Sequence, residues 1–377
     1  MKEVLWCKTC LMPSSRPRVV FTDGVCNACR WAVEKKKIDW SARAAEFKKL
    51  ITSQPKGQFD CVVPFSGGKD SAMIAWRLKF EHGLKPLLVT YGQLLWTEVG
   101  RYNFNKVCEA GFEIFYWRAD QEVSRKLARR FFIERGHPKM HYDAAVNAVP
   151  LIVAKQFNIP LVFFAEHGET EYGGLVLSEE HRRTRKIDEV LENQVGDDAR
   201  NWAGIDGITE RDLYPYIYPD GVENIGVYYY SHFFPWDIYR NAVEARHILE
   251  FTQAKNRCWM NGSTPLWFGK SDGSFEGFDS IDDMIDDLDY YMMHVKFGFG
   301  RSARMASRLI QNGHTTRERG LELVRKHDGE FPETYLPQIL DYLKMRKVEL
   351  IGIVDQHRNP EIWTKEGGEW KLRNPPA

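Results

Sequence analysis

The sequence lacks three features that would each select a class of protein. No uninterrupted apolar run approaches the roughly 20 residues that a membrane-spanning helix needs. Lysine plus arginine and aspartate plus glutamate each number 52, so the basic excess typical of nucleic-acid-binding proteins is missing. The first ten residues, MKEVLWCKTC, carry charges and cysteines in place of the apolar core of a signal peptide. We therefore expect a cytoplasmic protein with no membrane span and no nucleic-acid partner.

Internal repeats and low-complexity segments are also missing, and the 377 residues divide into three regions. Residues 1–40 hold cysteine pairs in short polar turns, residues 41–235 alternate apolar runs with helix-like stretches, and residues 236–377 are mainly helical. The predicted buried strands are 61–65, 87–91, 112–117 and 159–166, with 226–234 as a possible addition. Strands separated by helices join through right-handed crossovers, which predicts an α/β fold with a doubly wound parallel sheet.

An acidic segment, SIDDMIDDLDYYM, occupies residues 280–292. Its spacing places Ile281, Met284, Ile285 and Leu288 on one face of a helix and most of its aspartates on the other. Clustered carboxylates can hold a metal ion, but charge runs on helices are more often solvated. We therefore expect the aspartates to face solvent.

Cysteine spacing indicates a metal site. Seven cysteines suit a disulfide framework poorly, but four of them follow the spacing C-x2-C-x15-C-x2-C. These four are Cys7, Cys10, Cys26 and Cys29. Two such pairs can offer four thiolates to one tetrahedral Zn²⁺ in a closed, structural site, and an iron-sulfur cluster is the alternative. The other three, Cys61, Cys108 and Cys258, have no partner at such spacing, and Cys61 is expected to pack within a strand.

The stretch VVPFSGGKDSAMIAWRLKF, residues 62–80, predicts an anion site. A strand feeds the loop SGGKDS and a helix leaves it, so the glycines can turn several N–H groups into one concavity. The helix N-terminus and Lys69 add positive charge. The spacing is neither that of a Walker A loop nor that of G-x-G-x-x-G. A phosphate or pyrophosphate is therefore predicted here, with a plain glycine turn as the alternative.

SGGKDS resembles the PP-loop of the ATP pyrophosphatase superfamily, whose members cleave ATP to AMP and pyrophosphate while adenylating a substrate oxygen. The resemblance implies a HUP-like α/β domain whose loop binds ATP and whose Asp70 helps to hold Mg²⁺. The implied phosphate-binding residues are Ser66, Gly67, Gly68, Lys69 and Ser71. Ligands of open α/β sheets lie beside the carboxyl ends of the strands. Tyr91 and Gly92 are accordingly expected beside the adenosine.

Over nearly its full length the chain is similar to the N-acetyl sugar amidotransferase family of surface-polysaccharide (O-antigen) biosynthesis. The similarity rests on an ordered set of segments: CKTC, CNAC, VVPFSGGKDS, AEHGETEYGG, DDLDYYMMHVKFGFGR and GEWKLR. It implies that ATP converts the acetamido group of a nucleotide-linked sugar into an O-adenylyl imidate. Ammonia then displaces AMP to give an acetamidino group. In this interpretation Lys69 and Asp70 stabilise the charge that builds on the pyrophosphate.

AEHGETEYGG, residues 165–174, follows a predicted strand on the same sheet edge as the SGGKDS loop. Its acidic residues could bind Mg²⁺, accept a proton from ammonia or bind sugar hydroxyls, or the segment is a polar loop that only turns the chain. Glu169 is the predicted catalytic residue. Predicted substrate-binding residues are Glu166, His167, Glu171 and, further along, Arg301.

Ammonia is scarce at neutral pH, so a glutaminase is expected to supply it. Lys2 occupies the position that an N-terminal cysteine nucleophile would need, and no cysteine lies in an obvious glutaminase motif. The family resemblance implies separate partners related to the glutaminase and cyclase subunits of histidine biosynthesis. The alternative function is a PP-loop tRNA thiolase, which needs sulfur-handling cysteines near ATP and a basic RNA surface.

Overall fold

The computed structural model describes residues 3–176, 178–254 and 271–377. Cys258 lies outside these ranges. Secondary-structure elements are numbered here along the chain. The N-terminal region consists of β1 (Phe21–Thr22), β2 (Val25–Cys26), α1 (Asn27–Glu34) and α2 (Trp40–Thr52). None of the helices in the described ranges has both the length and the hydropathy that crossing a membrane requires.

A five-stranded parallel sheet forms the centre of the fold, as predicted. Its strands are β3 (Cys61–Pro64), β4 (Pro86–Tyr91), β5 (Glu113–Trp117), β6 (Leu161–Phe164) and β7 (Gly226–Tyr229). Hydrogen bonds order them β5-β4-β3-β6-β7, and every pairing is parallel. From β3 the chain builds outward to β5 and then returns to β6 on the other side. The strand order therefore reverses beside β3, which is where open α/β sheets bind ligands.

The predicted crossover helices are present between the strands. They are α3 (Lys69–Trp76), α4 (Glu98–Glu109), α5 (Gln121–Arg135) and α6 (Met140–Gln156). Cys61 and Val63 pack into one hydrophobic core, whereas Val62 packs into the other, because successive strand residues point to opposite faces. Both faces of the sheet are therefore covered, which explains the nearly continuous apolar runs of its strands.

Short helices and a long C-terminal helical region complete the described chain. The short helices around β7 are α7 (Gly168–Tyr172), α8 (Glu179–Arg183), α9 (Ile187–Val190) and α10 (Tyr230–Phe233). The later helices are α11 (Ile238–Ile248), α12 (Ile285–Phe297), α13 (Arg301–Gln311), α14 (Arg317–His327), α15 (Leu336–Leu343) and α16 (Lys347–Gln356). The hairpin β8 (Trp363–Glu366) and β9 (Glu369–Leu372) follows them.

The acidic segment before and within α12 is buried, so the prediction of a solvated helix face is wrong. At most 8% of the surface is exposed in each of Asp282, Asp283, Asp286 and Asp287. Asp283 accepts hydrogen bonds from the backbone N–H groups of Leu94 and Leu95, at 3.0 and 3.1 Å. Lys139 pairs with Asp286, and Arg301 donates to Asp287 at 3.1 Å. These partners are distant in sequence, so the spacing of the aspartates alone does not reveal them.

Gly100 makes the contact between α4 and this acidic segment possible. A Cβ atom at Gly100 would lie 2.6 Å from the Cα atom of Asp282 and 2.8 Å from its carbonyl oxygen. We predict that Gly100→Ala lowers the free energy of unfolding by about 1–3 kcal/mol, because the backbone of α4 must move away. Urea denaturation of the two proteins measures the difference.

Gly352→Ala is the matched control, since Gly352 also lies in a helix but has no atom within 4 Å of an added Cβ. There the higher helix propensity of alanine is expected to add up to about 1 kcal/mol. Equal stabilisation by the two substitutions would contradict the close contact at Gly100.

Candidate functional site

The loop between β3 and α3 has the backbone of an anion-binding turn. Gly67 has φ +100°, a conformation that side-chain-bearing residues rarely adopt, and a Cβ there would touch the ring of Trp96 at 3.3 Å. Gly68 is the N-cap of α3, and its N–H donates to Ser66 Oγ at 3.2 Å. The first turn of α3 has N–H groups without intrahelical acceptors. The predicted loop residues, 66–71, all line one cleft.

Lys69 connects this loop to the C-terminal region. Its side chain is 6% exposed, and its Nζ lies 2.6 Å from Asp279 Oδ1 and 2.9 Å from Asp70 Oδ2. Burial alone would lower the pKa of Lys69, but the two carboxylates outweigh it and raise that pKa above its ordinary value. Lys69 is therefore a fixed cation at the base of the cleft.

Asp279 has arginine partners as well as Lys69. Arg304 Nη1 and Arg308 Nη1 lie 3.6 and 3.7 Å from Asp279 Oδ2. Burial alone would raise the pKa of Asp279, but Lys69 and the two arginines lower it well below its usual range. Asp279 is therefore a permanent anion that aligns cations from α3 and α13.

The cleft measures about 270 Å³ and is built from several parts of the chain. The SGGKDS loop forms one wall, and the C-terminal region supplies another through residues 278–282 and Arg304. Glu166, which follows β6, and Ala242 of α11 also line it. Ligands in this cleft would thus contact both the α/β sheet and the C-terminal helices.

Two carboxylic acids in the cleft have raised pKa values. Burial, followed by the charge of Asp70, raises the pKa of Glu166, whose carboxylate accepts a hydrogen bond from Tyr172. Burial, followed by Asp286, raises the pKa of Asp282 to about 7. Asp282 can therefore exchange a proton near neutral pH, and Glu166 holds its proton more tightly than an ordinary glutamate does.

A second cavity, of about 460 Å³, lies at the carboxyl ends of β3, β4 and β6. Ser66 lines both cavities, so the second one adjoins the SGGKDS loop. Tyr91 also lines the second cavity, and its hydroxyl donates to that of Tyr216 at 3.1 Å. Gly92 lies outside the cavity lining, and its N–H donates to the carbonyl of Trp117 at 2.8 Å.

Four of the residues predicted from AEHGETEYGG and α13 lie outside the first cleft. Glu169 forms a two-pronged ion pair with Arg18, at 2.8 and 3.0 Å. Glu171 accepts from Trp31 Nε1 at 2.9 Å and Lys35 Nζ at 2.7 Å. Both glutamates therefore attach the α7 segment to the N-terminal region.

Arg301 and His167 are also buried among protein groups. Arg301 is 1% exposed and donates to Asp287 and to the carbonyl groups of Asp279 and Ser280. It holds the wall of the cleft without lining it, whereas Arg304, one helical turn later, lines the cleft. His167 lies 2.6 Å from both Thr170 Oγ1 and Glu189 Oε1.

Sequence reasoning missed Asp279 and Asp282 as cleft residues, whereas it does single out Arg304, with Arg301 and Arg308, as an arginine that either meets the diphosphate of a nucleotide sugar or forms solvated surface. Asp282 lies in the acidic segment and Asp279 directly precedes it, and sequence reasoning expects these carboxylates to face solvent. One argument could have indicated the acidic residues. If Lys69 of the loop is buried, its charge requires an acidic residue that is buried beside it.

The four N-terminal cysteines meet as their spacing predicts. Cys7, Cys10, Cys26 and Cys29 are buried, and their sulfur atoms lie within 4.8 Å of one another. Individual Sγ–Sγ distances are 3.6 Å for Cys10–Cys26 and 3.9 Å for Cys7–Cys29. Such a cluster could bind a metal ion such as zinc. Cys61 is fully buried in β3, as expected.

Comparison with known proteins gives one family match. Residues 272–374 match a family model described as "LPS biosynthesis protein WbpG-like, C-terminal domain". A search of curated proteins finds no match. The matched segment includes residues 278–282 and Arg304 of the cleft wall. The part of the chain that completes the cleft is therefore similar to a lipopolysaccharide biosynthesis protein, in agreement with the polysaccharide family that the sequence resembles.

Proposed function

We propose that this protein is an ATP-dependent, AMP-forming amidotransferase of lipopolysaccharide biosynthesis. It converts the acetamido group of a nucleotide-linked sugar into an acetamidino group. The observation that carries the proposal is the shared cleft, in which an SGGKDS anion loop faces a wall from the WbpG-like segment. One cleft then brings ATP phosphates to a substrate of surface-polysaccharide biosynthesis.

ATP would lie across the two adjoining cavities. The phosphates would contact the N–H groups of residues 66–71 and the ammonium group of Lys69. The nucleoside would occupy the second cavity, beside Tyr91 and close to Gly92, because this is the carboxyl edge of the sheet where the strand order reverses. This placement leaves the α-phosphate near Ser66, where the cavities meet.

The carboxylates of the cleft fit a divalent cation. Asp70 and Glu166 both line it, and the charge of Asp70 contributes to the raised pKa of Glu166. Facing carboxylates of this kind are the ligands that Mg²⁺ prefers. Mg²⁺ bound there would neutralise charge on the pyrophosphate leaving group. Asn241 Nδ2 donates to Asp70 Oδ1 at 2.8 Å and keeps that carboxylate in place.

A cluster of arginines supports an acidic substrate such as a sugar diphosphate. Arg308 is 3% exposed, and its Nε and Nη2 atoms have no hydrogen-bond partner in the described residues. Burial, with Arg308, Arg18 and Arg304 nearby, lowers the pKa of Arg16 to about 10 although Glu169 opposes the shift. The arginines near Arg304 thus carry more positive charge than the neighbouring carboxylates neutralise. A diphosphate would compensate that charge through the bidentate contacts that arginine makes.

The proposed reaction has two steps. The amide oxygen of the N-acetyl group attacks the α-phosphorus of ATP, and pyrophosphate leaves to give an O-adenylyl imidate. Ammonia then adds to the imidate carbon, AMP leaves and the nitrogen loses its surplus protons. Glu166 and Asp282 are the cleft carboxylates with raised pKa values, so they are placed to accept a proton. The predicted role of Glu169 becomes attachment of α7, through Arg18.

The experiment that tests the function combines the purified protein with ATP, Mg²⁺, ammonium and N-acetylated nucleotide sugars. Mass spectrometry would detect replacement of oxygen by NH together with AMP release. Adding the predicted glutaminase and cyclase-like subunits with glutamine should replace the ammonium salt. AMP formation only with tRNA and a sulfur donor would instead establish the thiolase alternative.

Lys69→Gln is expected to lower the rate of AMP formation by about 100-fold or more, because a fixed cation no longer faces the phosphates. Lys48→Gln changes an exposed lysine of α2 and should leave the rate unchanged. Loss of Lys69 also leaves Asp279 with less compensation, so thermal unfolding must accompany the assay. Ser71→Ala provides a second loop variant with its buried ion pairs intact. Full activity in both loop variants would contradict the ATP site.

We further propose that the four cysteines hold one structural Zn²⁺. Cys10→Ser is expected to remove one equivalent of zinc per chain and to lower the unfolding temperature, because metal binding contributes to folding. Cys108→Ser is the control, since Cys108 is exposed and lies outside the cluster. Inductively coupled plasma mass spectrometry gives the metal content. Iron with acid-labile sulfide would establish an iron-sulfur cluster in place of zinc.

A further inference from the structure

Two histidines and a glutamate meet behind the loop that follows β6. His167 is the N-cap of α7, His181 lies in α8 and Glu189 lies in α9. His167 is 2% exposed and Glu189 is 7% exposed. One ligand atom from each of the three residues lies within 4.8 Å of the other two. Three separate segments thus bring metal-ligating groups to one buried point.

The carboxylate of Glu189 bridges the two imidazole rings. Its Oε1 lies 2.6 Å from His167 Nε2, and its Oε2 lies 2.9 Å from His181 Nε2. Oε2 is buried and accepts no hydrogen bond from the described residues, although His181 is so close. A cation coordinated by Oε2 would give this buried atom the partner that hydrogen bonding does not supply.

The surroundings orient His167 as they do in metal sites. Its Nδ1 lies 2.6 Å from Thr170 Oγ1, so an Nδ1–H bond to this hydroxyl leaves the Nε2 lone pair directed at the cluster. The ring of Tyr229 packs against the imidazole with centroids 4.7 Å apart. The hydroxyl of Tyr229 accepts from Arg185 at 2.9 Å. These contacts fix the position of the ring.

We propose that His167, His181 and Glu189 form a binding site for a divalent transition metal ion of the Zn²⁺ type. Two imidazoles and one carboxylate favour zinc, cobalt or nickel over Mg²⁺ and Ca²⁺, which prefer oxygen ligands. Three protein ligands leave a coordination position for water. The site is made of residues other than the four cysteines, and it is independent of the proposed amidotransferase reaction.

The ion would connect the segment after β6 to the chain inserted before β7. His167 directly follows Glu166, which lines the cleft, whereas α8 and α9 belong to the insertion between α7 and β7. A metal bond across these segments would hold the backbone of Glu166 in place. The ion would therefore influence the cleft by fixing the position of Glu166, although the ion itself would lie outside the cleft.

The test measures bound zinc in the absence of ATP and sugar. After dialysis against Zn²⁺ and removal of free metal, the full-length protein should hold two equivalents per chain. His181→Ala and His181→Gln should each lose one equivalent and keep the one at the cysteines. His247→Ala, which changes an exposed histidine of α11, should keep both. Thr170→Val should weaken zinc binding at this site by about 10-fold, because it removes the hydroxyl that orients His167.

Cobalt substitution assigns each equivalent to its ligands. Co²⁺ at four thiolates gives intense sulfur-to-metal charge-transfer bands, whereas nitrogen and oxygen ligands give only weaker d–d bands. The His181 variants should lose d–d intensity with the charge-transfer bands unchanged. A wild-type protein that binds only the thiolate-held ion would overturn the proposal, as would His181 variants with unchanged metal content. The cluster would then be a His–Glu–His group that holds no metal ion.

Discussion

The buried ion pair between Lys69 and Asp279 is the interaction on which the cleft depends. It joins the SGGKDS loop to a segment 210 residues later in the chain. Breaking a buried ion pair from one side costs about 3–5 kcal/mol, because the remaining charge has no water to stabilise it. If the loop and the C-terminal wall separated, Lys69 would keep Asp70 but lose Asp279, and Asp279 would lose its nearest cation. The pair thus fixes the distance across the cleft before any ligand arrives.

The same anion, Asp279, has more cations around it than one carboxylate can neutralise. Arg304 and Arg308 approach its second oxygen at 3.6 and 3.7 Å, which is too far for strong hydrogen bonds. Arg308 instead lies over the ring of Tyr172, with 3.3 Å between its guanidinium carbon and the ring centroid. Cations stacked in this way keep their donors available. An excess of oriented donors beside the SGGKDS loop favours a ligand with several negative charges.

The sequence predicted the strands of the sheet and the SGGKDS wall of the cleft, but not the acidic residues of the opposite wall. The apolar runs that became β3 to β6 carry their own signal, since strands buried on both faces need apolar side chains throughout. In SGGKDS the two glycines likewise indicate a turn whose backbone conformation other residues rarely adopt. Asp283 and Asp286 carry no such signal, because their burial depends on backbone N–H groups of residues 94–95 and on Lys139, which lie in other segments. Glu169 shows the same limit, since its partner Arg18 is 151 residues away.

The cysteine cluster does not line the cleft, but it is connected to one wall of the cleft through α13. The N–H of Leu11, next to Cys10, donates to Ser307 Oγ at 3.2 Å, and Gln311 Nε2 lies 3.6 and 3.7 Å from the sulfur atoms of Cys10 and Cys29. Ser307 and Gln311 belong to α13, the helix that carries Arg304 and Arg308. A metal ion that orders the cysteines would therefore also hold α13 against the cleft. Four thiolates around one ion leave no open coordination position, so the task of such an ion would be structural: to fix the arginines of α13.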